Sequence, residues 1–235
     1  MTLPVIGYFE LGLAMAPLLL VALLFRRWSL PVRDVFVASA RMLIQLLLIG
    51  YILIYIFAND HWLPGILIMS VMLLISAWIA LRPLQRKNGR HLLQLTLGLL
   101  AGSGSILILL LWPVLQLEPW YQPRYVIPLA GMLLANTMNA LSLAGERFDT
   151  ELDHKGSPDQ ARRSALNTAM IPQINSLLAV GLVALPGMMT GQILSGVSPL
   201  IAVRYQIVIM AAIFSSSAFS VAIYLLLRLR QGSPS

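Results

Sequence analysis

The sequence predicts an all-α integral membrane protein of about seven transmembrane helices, with the N-terminus outside, the C-terminus cytoplasmic, and a Gly/Pro-broken segment before the last helix. Three observations carry this expectation. Of the 235 residues 58% are hydrophobic and only 11% charged, with a mean hydropathy of +0.82, far from the composition of a soluble domain. Apolar runs recur at the roughly 20 residues that a hydrocarbon core demands. The basic residues gather on alternate connections between those runs.

The runs are Leu3–Phe25, Val35–Phe57, Leu63–Leu81, Leu92–Leu115, Val126–Gly145, Ile171–Met189 and Ile201–Leu227. No Lys or Arg precedes Arg26, so the first run lacks the basic segment of a cleavable signal and is expected to remain as a helix. Charge orients the set. Arg26, Arg27, Arg33 and Arg41 flank one connection; Arg82, Arg86, Lys87 and Arg90 the next on that side; then Arg147, Lys155, Arg162 and Arg163; finally Arg228 and Arg230. If seven spans alternate, these fourteen of the sixteen basic residues share one side, leaving Arg124 and Arg204 elsewhere, and that side is cytoplasmic. The net charge of +7 is therefore a topology signal, and with no soluble basic face a nucleic-acid partner is excluded. The absence of cysteine excludes disulfides, thiolate metal sites and cysteine nucleophiles.

Residues 1–235 read as a single membrane domain in which one hydrophilic segment, 146–170, exceeds a short loop. Within it Gly156 ends one helical stretch and Ser157-Pro158-Asp159-Gln160 opens another: Ser157 caps, Pro158 suits the first helical position, and Gln160 stands where a capping box puts Glu or Gln. Asp159 favours the positive end of the helix dipole. Ala161, Ala165 and Ala169 then form a narrow stripe, with Arg162 and Arg163 off it. A short cytoplasmic helix wedged between two spans is what transmission of force from a soluble motor requires; a helix lying on lipid phosphates is the plainer reading.

Between Leu185 and Ile207 the chain reads LPGMMTGQILSGVSPLIAVRYQI, rich in glycine and proline. Such a break survives at membrane depth only where protein or a watery cavity satisfies the freed backbone, so it points towards a transport path; an external loop or a re-entrant hairpin both fit. Ser198 and Pro199 again read as a cap and first-turn proline.

Glu10 is the one carboxylate inside any expected hydrocarbon run, able to bind a cation or carry a proton, or simply to sit near the outer headgroups. Met132, Asn136 and Asn139 share one face of the fifth span, lining a path or hydrogen-bonding between helices. Gln173 and Asn175 open the sixth span and Met188 and Met189 close it, a polar entrance and a sulfur-rich exit that suit soft or borderline cations, although methionine more often packs than binds. No metal-spaced histidine pair exists. Gly98, Gly102 and Ser105 form a small-residue stripe that indicates close helix packing. The only lysines, Lys87 and Lys155, do not stand in a GK[ST] phosphate loop. The chain is thus no ATPase itself and binds no cofactor; if ATP drives it, ATP and Mg belong to a separate subunit.

Three blocks carry a family resemblance: IPLAGMLLANTMNAL at Ile127–Leu141, GSPDQARRSA at Gly156–Ala165, and LPGMMTGQILSGVSPLIAVRYQI at Leu185–Ile207. With Pro, Gly, Met and Asn at fixed places in otherwise exchangeable apolar sequence, the chain resembles the FetB family, permease subunits of an iron-export ABC transporter whose plant relatives include aluminium-tolerance permeases. The resemblance implies two copies of the permease paired with two ATP-binding-cassette subunits in the bacterial inner membrane, exporting iron and relieving metal-linked oxidative stress. By polarity and helix phase, the segment after Gly156 is where such an ATPase is expected to dock, through Ser157, Pro158, Asp159, Gln160, Arg162 and Arg163. Composition and spacing do not select iron. Another metal or a nucleotide sugar as cargo, a proton-coupled secondary transporter using Glu10, and a non-transporting scaffold remain the alternatives.

Overall fold

The computed structural model describes residues 6–57, 61–85, 87–154 and 156–229. The start of the first expected span at Leu3 and the topology charges Arg86, Lys155 and Arg230 lie outside the described residues. The chain divides into two compact units, residues 1–60 and 61–235.

In the first unit the expected span is split into α1 (Tyr8–Met15) and α2 (Pro17–Arg27). Pro17 has no N–H to offer the carbonyl of Leu13, and the helical bonding lapses there. Arg26 and Arg27 close α2, where cations oppose the negative end of the helix dipole. α3 (Val32–Phe57) packs back on α2.

The second unit is a helical bundle. α4 (Trp62–Ala80) and α5 (Gly89–Leu109) follow the expected third and fourth runs. Asn88 caps α5 by accepting from the His91 N–H at 2.8 Å. The end of α5 relaxes into a π-helical turn, Leu110–Val114, where Pro113 cannot donate and the Leu115 N–H reaches the Leu110 carbonyl at 2.8 Å. α6 (Pro123–Asp153) and α9 (Pro199–Leu229), 31 residues each, run ~46 Å at 1.5 Å per residue and overshoot a ~30 Å hydrocarbon core.

Among the described residues six helical stretches are long and apolar enough to cross a membrane: Tyr8–Arg27, Val32–Phe57, Trp62–Ala80, Gly89–Val114, Pro123–Asp153 and Pro199–Leu229. The expected sixth run, Ile171–Met189, is absent from that set. Its residues are divided between two helices and the turn that joins them. α7 (Pro158–Ala179) starts at the coupling segment and continues through Pro172, and α8 (Gly187–Leu194) follows a turn containing Gly181 at φ +84°. The separate short helix expected within 146–170 is likewise corrected: residues 146–153 finish α6, and everything from Pro158 is the first half of α7. The cap itself is as expected, with the Ser157 hydroxyl accepting from the Gln160 N–H at 3.2 Å.

Two cores mark the ends of this bundle. Leu84, Leu95, Leu141, Phe148, Ala161 and Tyr224 gather at the end that carries Arg147 and Arg228, hereafter the basic end. Leu110, Val126, Leu129, Ile209 and Met188 gather at the other. α7 therefore runs back along α6, as long as a span, although its first half is too polar to register as one. Ala161, Ala165 and Ala169, all 0% exposed, let its backbone approach α6 and α9.

Candidate functional site

The buried polar groups of this bundle concentrate on one seam, where α9 meets α5 and α6. Ser216, Ser220, Tyr224 and Arg228 are spaced by four residues, so they stack along one face of α9 and rise ~6 Å at each step. Ser216, Ser220 and Tyr224 are 0% exposed. At mid-bundle three hydroxyls from three helices close a triangle: Ser103 of α5 donates to Thr137 of α6 at 3.2 Å, and Ser216 lies 2.8 Å from both. Below it Ser220 rests against α5 with no side chain between. A Cβ on Gly102 would stand 2.1 Å from the Ser220 hydroxyl and 2.6 Å from its backbone nitrogen, and one on Gly98 would stand 3.0 Å from its carbonyl. The small-residue stripe thus packs within the chain; its third member, Ser105, is exposed and bonds the Gly102 carbonyl at 3.0 Å.

Not every buried oxygen of α5 and α9 has a partner. Among the described residues the hydroxyls of Ser217 and Ser220 and the Oε1 atoms of Gln94 and Gln206 are buried without a hydrogen-bond partner. Gln94 does donate through Nε2 to the Leu227 carbonyl at 3.1 Å, tying α5 to α9.

At the basic end the stack finishes in a buried ion pair between Arg228 and Asp149 of α6, each side chain 10% exposed. Arg228 also donates through Nη1 to the Tyr224 hydroxyl at 3.1 Å, and its guanidinium lies 5.1 Å from the Phe148 ring centre. The second carboxylate oxygen of Asp149 is buried with no partner among the described residues. Two residues to either side of Asp149, α6 is tied to α7: Arg147 donates to the Ser164 hydroxyl at 2.8 Å, Ser164 donates to Glu151 at 2.9 Å, and Arg147 pairs with Glu151.

Two cavities open on the opposite side, between α4, α5 and α6. The larger, about 1070 Å³, is walled by Trp112, Trp120, Gln116 and Glu118 near the π turn; the smaller, about 210 Å³, reaches Ser103. They share Ile66, Met69, Gly104 and Leu107. Both walls are predominantly apolar.

The structure does not bring the sequence-predicted path residues together. Glu10 is exposed in the first turn of α1, in the other unit. Met132 and Asn136 are half-buried, with Asn136 returning its amide to the Met132 carbonyl at 2.9 Å, and Asn139 is exposed. The buried polar residue of that stretch is their neighbour Thr137. Gln173 is buried on α7 while Asn175 is exposed. Met188 and Met189 are half-buried on α8, with Met188 packed on the second core. Of the coupling residues, Ser157, Pro158, Asp159, Gln160 and Arg163 are exposed, and Arg162 is half-exposed and paired with Asp159 at 3.1 Å. The sequence of α9 carries a signal of this seam that hydropathy does not reveal, hydroxyls at four-residue spacing ending in an arginine. Charge counting alone makes Arg228 a topology residue, whereas the structure pairs it with Asp149. Among the described residues no three His, Asp or Glu side chains gather as a metal site.

Residues 8–232 match the model of the Uncharacterised protein family (UPF0014). The chain is 38% identical over 198 residues to UPF0014 membrane protein slr1647 of Synechocystis sp., covering 78% of this chain and 76% of that one. It is 32% identical over 213 residues to the Probable iron export permease protein FetB of Escherichia coli, covering 83% and 81%. It is 30% identical over 199 residues to Protein ALUMINUM SENSITIVE 3 of Arabidopsis thaliana, covering 77% and 70%. No solved structure matches it. With its apolar helices, these relatives make it a multi-pass protein of a bacterial membrane.

Proposed function

Because this chain belongs to the UPF0014 family of membrane proteins, we propose that it is the permease subunit of an ATP-driven exporter in the inner membrane and that iron is its cargo. The cargo rests on the relative named as a probable iron export permease. Two copies form the translocating core, each joined to an ATP-binding-cassette subunit that holds ATP and Mg; the chain itself binds no cofactor. Export on this scheme serves iron homeostasis and resistance to oxidative stress.

The observation that supports the motor most is the build of α7. Its first turn offers Asp159, Gln160 and Arg163 to solvent, while the stripe one face round is sealed against α6 and α9. A soluble subunit that grips the first turn moves a full-length helix of the bundle. Alanine at Asp159, Gln160, Arg162 and Arg163 together is expected to uncouple ATP hydrolysis from export while leaving insertion intact; normal coupling refutes this docking site.

The decisive assay is solute movement from proteoliposomes holding this chain and its cognate ATPase, with and without ATP, comparing iron, manganese and a nucleotide sugar. ATP-dependent iron movement is the expected result. ATP turnover stimulated by another solute keeps the permease and discards iron. Transport by this chain alone under a proton gradient replaces the scheme with a secondary transporter, for which Glu10 is the available carboxylate.

A further inference from the structure

We infer that the open flank of α6 and α7 is the surface on which a second copy of this chain docks, closing Asn136, Asn139 and Asn175 into one polar site at mid-membrane. The inference rests on the permease reading, which calls for two copies, and adds to it the face through which they meet.

Within one chain these three amides form no enclosed site, yet helix geometry sets them at one depth on one flank. Asn136 and Asn139 stand 13 and 16 residues beyond Pro123, ~20 and ~24 Å along α6. A ~46 Å helix that crosses a ~30 Å core leaves ~16 Å outside it. Whether that excess projects from the first end of α6, from the last or from both, the stretch between ~16 and ~30 Å stays in hydrocarbon, and both asparagines lie in it. On α7, Asn175 follows Ser164 by 11 residues, three turns, and so shares its face. Ser164 is held by Arg147 and Glu151 of α6. Because α7 runs back along α6, the matching step leads from Arg147 and Glu151 to Asn136 and Ala140. Asn175 is thus level with the two asparagines of α6, on the flank of α7 turned towards that helix.

Lipid does not suit this flank. Asn139 and Asn175 are exposed and Asn136 is half-buried, and a carboxamide facing hydrocarbon forfeits the hydrogen bonds that water gives it. The outer faces of α4 and α5 show what lipid requires: Leu67, Val71, Leu74 and Trp78 form one exposed stripe, and Leu93, Leu97 and Leu100 another. A second copy meets the needs of the α6 and α7 flank. Each carboxamide both donates and accepts, so a patch of asparagines is complementary to itself across a two-fold axis, which a patch of one charge is not. Ala135, exposed one turn from Asn139 on the same face, leaves room for close approach. The space enclosed between the copies is then lined by amide oxygens and nitrogens, which suits a polar or hydrated solute and offers little to an apolar one.

The chain contains no cysteine, so single thiols report contact without background. Ala135→Cys, Asn139→Cys and Asn175→Cys, with Val71→Cys and Leu97→Cys as lipid-facing controls, are made as full-length chains in bacterial membranes, alone and with the cognate ATPase. Each is treated with copper phenanthroline or with a short bis-maleimide, and the covalent dimer is measured on a denaturing gel. In either preparation Ala135→Cys or Asn139→Cys is expected to give about fivefold more dimer than both controls. Adding Asn139→Leu and Asn175→Leu to Ala135→Cys is expected to return the dimer to the control level, since leucine is at home in lipid. Dimer at the control level from all three flank positions overturns the inference, because lipid or another part of the same chain then covers the flank. An undiminished dimer in the leucine variant overturns the part given to the amides; should that variant fail to fold, the single-thiol chains still decide the surface. None of these readouts involves transport. A dimer without ATP-dependent transport keeps the surface and discards the permease reading, and transport without the dimer does the reverse.

Discussion

Gly102→Ala measures how tightly α5 and α9 are zipped. The added methyl would sit 2.6 Å from the Ser220 nitrogen and 2.7 Å from its Cα, atoms that no rotamer change can move. Restoring an ordinary carbon contact of about 3.5 Å requires α9 to retreat by roughly 0.8 Å. Retreat of that size also strains the neighbouring hydroxyl triangle, whose two Ser216 separations are 2.8 Å. Overpacking of this kind costs about 1–3 kcal/mol, from which the better helix propensity of alanine returns about 0.5–1 kcal/mol. Gly104→Ala supplies the internal control, because its Cβ would meet only Leu100 Cδ1 at 3.9 Å and the propensity gain stands alone. The measurement is the thermal midpoint of both variants in the same detergent, compared with the parent. Gly102→Ala should fall and Gly104→Ala should hold or rise, separating the two by about 1–3 kcal/mol. Equal midpoints would refute the close approach of α5 and α9, and with it the reading of the seam as a glycine-zipped contact.

Asp149→Ala leaves Arg228 charged and buried, and should destabilise the protein by about 3–5 kcal/mol in denaturation, whereas Asp149→Leu with Arg228→Leu returns most of that loss. Ala165→Leu, pressed into the 0%-exposed stripe of α7, should cost about 1–3 kcal/mol and appear as reduced yield and midpoint, while Arg163→Ala on the exposed face stays within about 0.5 kcal/mol. Met188→Leu with Met189→Leu conserves volume and should change stability by less than about 1.5 kcal/mol. In the proteoliposome assay it should leave rate and cargo preference unaltered, since Met188 packs on the second core. A changed preference would return these methionines to the path.

What could be read from the sequence follows from how locally each signal is encoded. Hydrophobic runs are local, and six of the seven expected runs have a counterpart among the apolar helical stretches. The cap at Ser157 is local as well and appears where residue chemistry puts it, whereas inside the segment expected to be broken Gly187–Leu194 is helical and the chain breaks on either side of it. Helix phase relative to neighbours is not local. Asn136 and Thr137 differ by one residue, about 100° of helix, and only the position of α5 and α9 decides that Thr137 is the one turned inward. The Gly98 and Gly102 stripe announced a close contact but not its partner, because Ser220 is over a hundred residues away in the chain. Arg228 carried two meanings at once, a positive charge at a span end and the partner of a distant aspartate, and composition exposes only the first.

α7 is the case in which hydropathy misleads for a physical reason. A helix facing lipid must be apolar around much of its circumference, but a helix held between two others needs only a face small enough to approach them. Ala161, Ala165 and Ala169 supply that face with little apolar surface, so Asp159, Arg162 and Arg163 can occupy the same helix without barring it from the bundle. The expected division into a cytoplasmic helix and a span starting at Ile171 treated the polar first half and apolar second half as different environments. They are one continuous helix, Pro158–Ala179, with Pro172 inside it, that joins an exposed, charged turn to the interior of the bundle. A separate coupling helix could transmit motion only through a flexible joint before Ile171. On the proposed coupling scheme the helix runs without a break from Asp159 to Ala169, and Ser164 joins it to the turns of α6 that hold Arg228.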